Sequence, residues 1–271
     1  MKKIKQSIHS KEKQYQFMIE QTNNMGSYPM SIRASTMWRI DPKLLSFTLA
    51  RHKFVAKMFA GLDRVLEVGC GDAFAGRLLH PEVKEIHSID FDPVFINDAQ
   101  KRVEPGWPVT LAIHDILKDG PYLKGGLFDA AFSLDVIEHI DDKQEDLYVH
   151  NIAGSLTSNG VFICGSPSKE SQPYASPMSK EGHINCKSGK ELQVLLKKYF
   201  HNAFLFGMND EVLHTGFAPM CHYLFVLAVG PKVEEREVGR VGQKPSSKSL
   251  FQADLHFVHP LRVGKSNVVK S

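Results

Sequence analysis

Short apolar runs recur along the middle of the chain with helical spacing between them, and this alternation limits the fold more than any other feature. "RVLEV" (64–68), "EIHSID" (85–90), "VTLAIHD" (109–115), "FDAAFSLD" (128–135) and "GVFICGS" (160–166) are β-branched or aromatic and bounded by turn formers, so they read as strands. Asp92-Pro93 offers an N-cap followed by Pro at the first helical position, which starts a helix running to about Val103. Val149, Ile152, Ala153 and Leu156 keep helical spacing up to an Asn159-Gly160 stop. Ser188 with Glu191 makes a capping box ahead of Leu192, Leu195, Leu196 and Tyr199. Two more strands, "AFLFGM" (203–208) and "HYLFVLAV" (222–229), close the pattern and are joined by a long connection. Strands alternating with helices predict an α/β fold with a doubly wound, mostly parallel seven-stranded sheet, and the closing pair adds an antiparallel member at one edge.

The first strand opens into "RVLEVGCGDAFAGRLL", where two glycines break the apolar run before helical spacing resumes. Glycines closing a strand and opening a helix let backbone approach a ligand closely, next to unpaired N–H groups. The dinucleotide fingerprint G-x-G-x-x-G is not met, because Phe74 stands where the third glycine belongs; this counts against a nicotinamide oxidoreductase. Glu67, two residues before Gly69, suits a cationic ligand better than a pyrophosphate.

Composition narrows the class further. No apolar run approaches the roughly 20 residues of a membrane span, and the N-terminus lacks the apolar core of a secretory signal, so a cytoplasmic protein is expected. Cys70, Cys164, Cys186 and Cys221 show no C-x-x-C spacing and read as reduced thiols. The formal charge of +3 sits at the ends: residues 1–13 carry five lysines against one Glu, and residues 232–271 eight Lys/Arg against four acids. The middle is therefore acidic, with no broad nucleic-acid footprint, and the basic ends read as solvated tails. The division expected is a helical cap or lid over 1–61, a ligand-binding α/β domain over 62–231 and a basic tail over 232–271, with Tyr28, Trp38 and Arg39 available to cover the site.

From about Leu62 to Pro231 the chain resembles the class I S-adenosylmethionine-dependent methyltransferases, whose E/D-x-G-x-G motif is met by Glu67-Val68-Gly69-Cys70-Gly71. The resemblance implies that Asp90, closing the second strand, binds the ribose hydroxyls of S-adenosylmethionine and that Asp115, in "IHDIL", contacts the adenine amine. It also implies cofactor contacts from Glu67, Gly69, Gly71, Phe91, Ile116 and Leu134. Where the family usually has a third glycine this chain has Ala73. A carboxylate offers paired acceptors for paired hydroxyls, and a sulfonium without phosphate tolerates an acid nearby, so these residue types suit the cofactor on chemical grounds too.

After the fourth strand, "SLDVIEHIDD" lies at the carboxyl end of the sheet, where open α/β folds place their ligands. Its D-x-x-E-H pattern looks like the acceptor side of small-molecule methyltransferases, including those acting on quinone precursors. His139, with Glu138, is the expected base or positioning pair. In some relatives such a set with a further His holds a divalent metal; Asp135, Glu138, His139 and His183 match it here, although many carry Glu-His without one. His87 and His114 are expected as packing residues, and His214 and His222 as pocket-side candidates. The [DNS]-P-P-[YF] motif and a Pro-Cys nucleophile are both absent, which removes DNA bases as acceptors. The expectation is a methyltransferase acting on a small-molecule acceptor, oxygen ahead of nitrogen. A metal-dependent RNA 2′-O-methyltransferase and a catalytically silent S-adenosylmethionine-binding protein stay open as alternatives.

Overall fold

A computed structural model of the protein describes residues 10–232. Most of the basic N-terminal stretch and the tail beyond Lys232 lie outside the described residues. The described chain starts with α1 (Gln16–Met25), α2 (Ile32–Ile40) and α3 (Pro42–Met58). Ser31 caps α2 by accepting the N–H of Ala34 at 3.0 Å, and Asp41 caps α3 with Pro42 in the first turn.

The sheet strands are β1 (Arg64–Val68), β2 (Glu85–Asp90), β3 (Val109–Ile113), β4 (Phe128–Leu134), β5 (Leu156–Pro167), β6 (Phe200–Asn209), β7 (Val212–His214) and β8 (Tyr223–Pro231). Their order is β3-β2-β1-β4-β5-β8-β6-β7. The first five are parallel, β8 runs antiparallel to β5, and β6 runs antiparallel to β8. This is the doubly wound α/β sheet with a reversed C-terminal hairpin, with eight strands instead of seven. The addition is β7, three residues paired with the end of β6 inside the expected long connection.

Both faces of the sheet are covered, as a parallel sheet requires. Alternate strand residues feed two cores: Leu66, Ala131 and Phe162 pack with α5 (Glu145–Ala153) and with α7 (Gly189–Tyr199), which follows the short α6 (Pro177–Gly182), whereas Val65, Ala130 and Ile163 pack with Val55 and Phe59 at the end of α3. The capping box of Ser188 and Glu191 is formed at α7, and Asp92 caps α4 (Pro93–Gln100) by accepting the N–H of Val94 at 2.8 Å. No helix among the described residues is long and apolar enough to cross a membrane.

Two local expectations change. The segment after the glycine turn is a 3-10 helix, Ala75–Leu79, because the turn consumes residues up to Ala73 at positive φ and Pro81 forbids further winding. Asn159-Gly160 does not end a helix. Leu156 already pairs with Phe128, and the register shifts before Val161 pairs with Ala130, so these residues sit in an irregularity within β5.

Candidate active site

The turn after β1 carries three residues at positive φ, Gly69 (+73°), Gly71 (+53°) and Ala73 (+53°). At Gly69 a Cβ would lie 2.4 Å from Val136 Cγ2, so only glycine lets the turn close against the segment after β4. Asp90, at the end of β2, accepts the N–H of Gly71 on Oδ2 at 2.8 Å and that of Asp92 on Oδ1 at 2.9 Å. Each oxygen retains acceptor capacity for a ligand hydroxyl.

Glu67, two residues before Gly69, is buried; it accepts the Ser88 hydroxyl at 2.6 Å and faces His52 Nε2 at 3.5 Å. Phe91, beside Asp90, is 69% exposed and free to offer a ring face. Asp115 accepts the N–H of Leu117 at 3.0 Å and pairs with Lys118 at 3.0 Å, while Ile116 and Leu134 are buried.

The N-terminal helices are tied to the turn. The N–H of Arg33 donates to Asp72 Oδ2 at 2.7 Å, that of Ile32 to Asp98 Oδ2 at 3.3 Å, and the Tyr28 hydroxyl to the carbonyl of Arg102 at 3.2 Å. Arg102 in turn donates to the Asp72 carbonyl at 2.6 Å. Between α2, α3 and the turn lies a cleft with about 340 Å³ of free space, part of it open to solvent; Arg33, Met37, Thr48, His52, Cys70 and Asp72 are among its walls. Of the expected cover, Tyr28 reaches the turn and packs beside Phe74, whereas Trp38 and Arg39 are exposed.

On the far side of the turn the chain leaves β4 through Asp135, a non-glycine residue at φ +57°, a conformation that carries strain. Arg51 of α3 holds it there: Nη1 donates to both Asp135 oxygens at 2.9 Å, and the guanidinium stacks 3.8 Å above the Tyr223 ring. Asp135 thus belongs to an ion pair, and the cluster of potential ligands is Glu138, His139 and His183, whose atoms lie within 4.8 Å of one another. Of the four residues that match the metal set of some relatives, Asp135 is the one engaged by a cation 84 residues away in the chain.

The hydrogen bonds fix how the cluster presents itself. His139 Nδ1 donates to the carbonyl of Gly182 at 2.7 Å, and His183 Nδ1 to Gln172 Oε1 at 2.9 Å, leaving both Nε2 lone pairs bare. Glu138 is fully buried. Its Oε2 accepts the Ser166 hydroxyl at 3.2 Å and its Oε1 has no partner. Burial, reinforced by the nearby Asp135 charge, pushes its carboxyl up to about 8. Burial and the neighbouring His139 lower the basicity of His183. Two more buried polar atoms in this region lack partners, Arg51 Nε and the Tyr223 hydroxyl, and burial holds the Tyr223 phenol firmly protonated.

The other histidines play different parts. His87 is buried beside Tyr122 and Phe128, and His114 bonds the carbonyl of Gly120, both packing roles. His214 accepts the N–H of Gly216, and the N–H of His222 donates to Asn209, so both serve the β6–β8 loop. The residues that sequence reasoning missed, Arg51, Arg33 and Tyr223, carry no local motif; only their tertiary placement reveals them.

Residues 65–160 match a family model described as a methyltransferase domain. No curated protein matches the chain. Among solved structures, the methyltransferase domain of bacterial CtHen1-C is 17% identical with a TM-score of 0.56, covering 69% of this chain and 99% of that one. The N-methyltransferase NodS from Bradyrhizobium japonicum WM9, bound to S-adenosyl-L-homocysteine, is 20% identical with a TM-score of 0.51, covering 72% and 92%. The plantazolicin methyltransferase BpumL, also in complex with S-adenosylhomocysteine, is 12% identical with a TM-score of 0.54, covering 73% and 88%. The matched segment is a methyltransferase domain, and the fold is that of the class I S-adenosylmethionine-dependent methyltransferases.

Proposed function

We propose that the protein methylates an oxygen atom of a small-molecule acceptor, in a cytoplasmic setting, with His139 as the group that takes the acceptor's proton. S-adenosylmethionine supplies a methyl already activated on its sulfonium sulfur. The observation that carries the reading is the bare Nε2 of His139, fixed by the Nδ1 bond to Gly182 and set beside the unpartnered Glu138 carboxyl. As the acceptor oxygen bonds to the methyl carbon and the carbon–sulfur bond breaks, the hydroxyl proton passes to Nε2. The remaining contribution of the chain is alignment and exclusion of water.

On the cofactor side, Asp90 takes the ribose hydroxyls, Gly69 and Gly71 allow close backbone approach, Phe91 and Ile116 flank the base, Asp115 meets its amine, and Leu134 closes the methionine end. Glu67 acts by holding the turn. The helical segment before Leu62 acts as the cover, a role supported by its bonds to Asp72 and Asp98.

A second reading rests on the same cluster. Two imidazoles whose far nitrogens are anchored, together with an unpartnered carboxyl oxygen, form a donor set suited to a divalent ion, which would orient the acceptor hydroxyl. The test is a panel of hydroxyl- and amine-bearing metabolites incubated with methyl-labelled S-adenosylmethionine, with and without chelator. Transfer to oxygen without added metal is the expected result. Transfer to nitrogen alone contradicts the oxygen assignment, and loss of transfer under chelation selects the second reading.

A further inference from the structure

His139 and His183 come from separate segments, one after β4 and the other after α6, and Asn185 joins them. The backbone N–H of Asn185, like that of Ile184, donates to the carbonyl of Glu138 at 2.9 Å. Its side-chain amide reaches the other flank, where Nδ2 donates to the carbonyl of Ile140 at 3.0 Å. One residue therefore grips the carbonyls on both sides of His139, and it stands two positions after His183 in the chain. The rest of the amide is engaged as well: Nδ2 also donates to Glu145 Oε2 at 2.8 Å, and Oδ1 accepts Lys187 Nζ at 3.0 Å. Lys187 and Glu145 pair at 2.5 Å with side chains only 13% and 14% exposed, so solvent screens the pair little. Acceptors on one side of the amide and an ammonium on the other leave it a single satisfied orientation, since a flipped amide would set NH2 against Nζ.

The imidazoles meet where this grip holds the segments together. Their ring centroids are 5.3 Å apart, and His139 Nδ1 donates to the carbonyl of Gly182, which belongs to the segment that Asn185 ties down. A Cβ at Gly182 would lie 3.2 Å from His139 Cε1, so ring and backbone are already in close contact. The Nδ1 bond decides the tautomer and thereby leaves the lone pair on Nε2. It exists only while the segment around residues 182–185 stays docked. We propose that Asn185 is a positioning residue for His139: it holds the two segments together and so sets the tautomer and the place of Nε2. The inference rests on the reading of His139 as the proton acceptor.

The test is histidine-ring NMR of the full chain in alkaline buffer, a measurement that needs no acceptor. Wild type should show His139 with its proton on Nδ1 and a cross-ring NOE to His183. Asn185→Ala should shift His139 toward the Nε2–H tautomer and lose the NOE. Asn185→Asp, which keeps the shape and the Lys187 contact but offers Ile140 no donor, should give the same change. Turnover of methyl-labelled S-adenosylmethionine with the hydroxyl compounds of the metabolite panel should fall about 10- to 100-fold in Asn185→Ala, and the same substitution should cost nothing further in a His139→Ala background. A lower melting temperature with tautomer and NOE unchanged, or an additive loss in the His139→Ala background, overturns the proposal. Unaltered turnover in His139→Ala overturns the proton-acceptor reading instead, and the ring spectrum tells the two failures apart.

Discussion

Asp90 joins the ends of two parallel strands to one another: a single carboxylate accepts the N–H of Gly71, at the turn after β1, and that of Asp92, after β2. The glycine turn is therefore held in shape by the chain's own groups. Asp90→Ala leaves the buried Gly71 amide without its acceptor, at a cost of about 1–3 kcal/mol. Hydrogen exchange across residues 69–73 should speed up in this variant while β6 and β8 stay protected.

Gly69 and Gly106 separate two costs of replacing glycine. Both have positive φ, but a Cβ at Gly106 meets nothing within 4 Å, whereas one at Gly69 collides with Val136. Gly106→Ala should lose about 1 kcal/mol from backbone strain alone, and Gly69→Ala should lose about 1–3 kcal/mol more from the collision. Urea denaturation of the two variants checks the order.

How much of this was legible in the sequence follows from the range of the forces involved. The parallel strands, the Asp92 cap and the Ser188–Glu191 box are local, set by neighbours within four residues, and they stand where the pattern places them. Val212–His214 escaped because three residues carry no period; β7 exists only because the end of β6 offers it a partner. The 3-10 helix at Ala75–Leu79 escaped because the positive φ of Ala73 is imposed by the turn. At the site, Glu138, His139 and His183 were visible as residue types. The pairing of Asp135 with Arg51 was not, since it depends on how α3 lies across the strand ends.

Glu138 gives a stability signature. Its carboxyl is raised to about 8 by burial and the Asp135 charge, against about 4.5 in the unfolded chain. Between those values the folded state binds more protons, so its contribution is complete below about pH 4.5 and is lost as pH rises toward 8, by at most about 1.4 kcal/mol per pH unit. Glu138→Gln should lack this loss. Melting curves of both proteins at pH 5, 6, 7 and 8 should diverge upward in favour of the variant; parallel curves contradict a neutral, buried Glu138.

His139→Ala tests the proton acceptor. Affinity for S-adenosylhomocysteine should be nearly unchanged, and turnover of the acceptor found in the metabolite panel should fall about 10²-fold or more. If the cluster works through a divalent ion, chelator should abolish wild-type turnover, added metal should restore it, and His183→Ala should share the defect. Unaltered turnover per folded molecule would remove His139 from the chemistry.

The account stands most directly on the affinity of the wild-type chain and of Asp90→Ala for S-adenosylhomocysteine, measured by calorimetry at one temperature and salt concentration. Wild type should bind one molecule per chain. Asp90→Ala, stripped of the carboxylate that shapes the Gly69–Gly71 turn and that we propose takes the ribose hydroxyls, should bind about 100-fold more weakly while remaining folded. Equal affinity in the two proteins would contradict the placement of the cofactor on this turn, and no binding by wild type would contradict the cofactor site altogether.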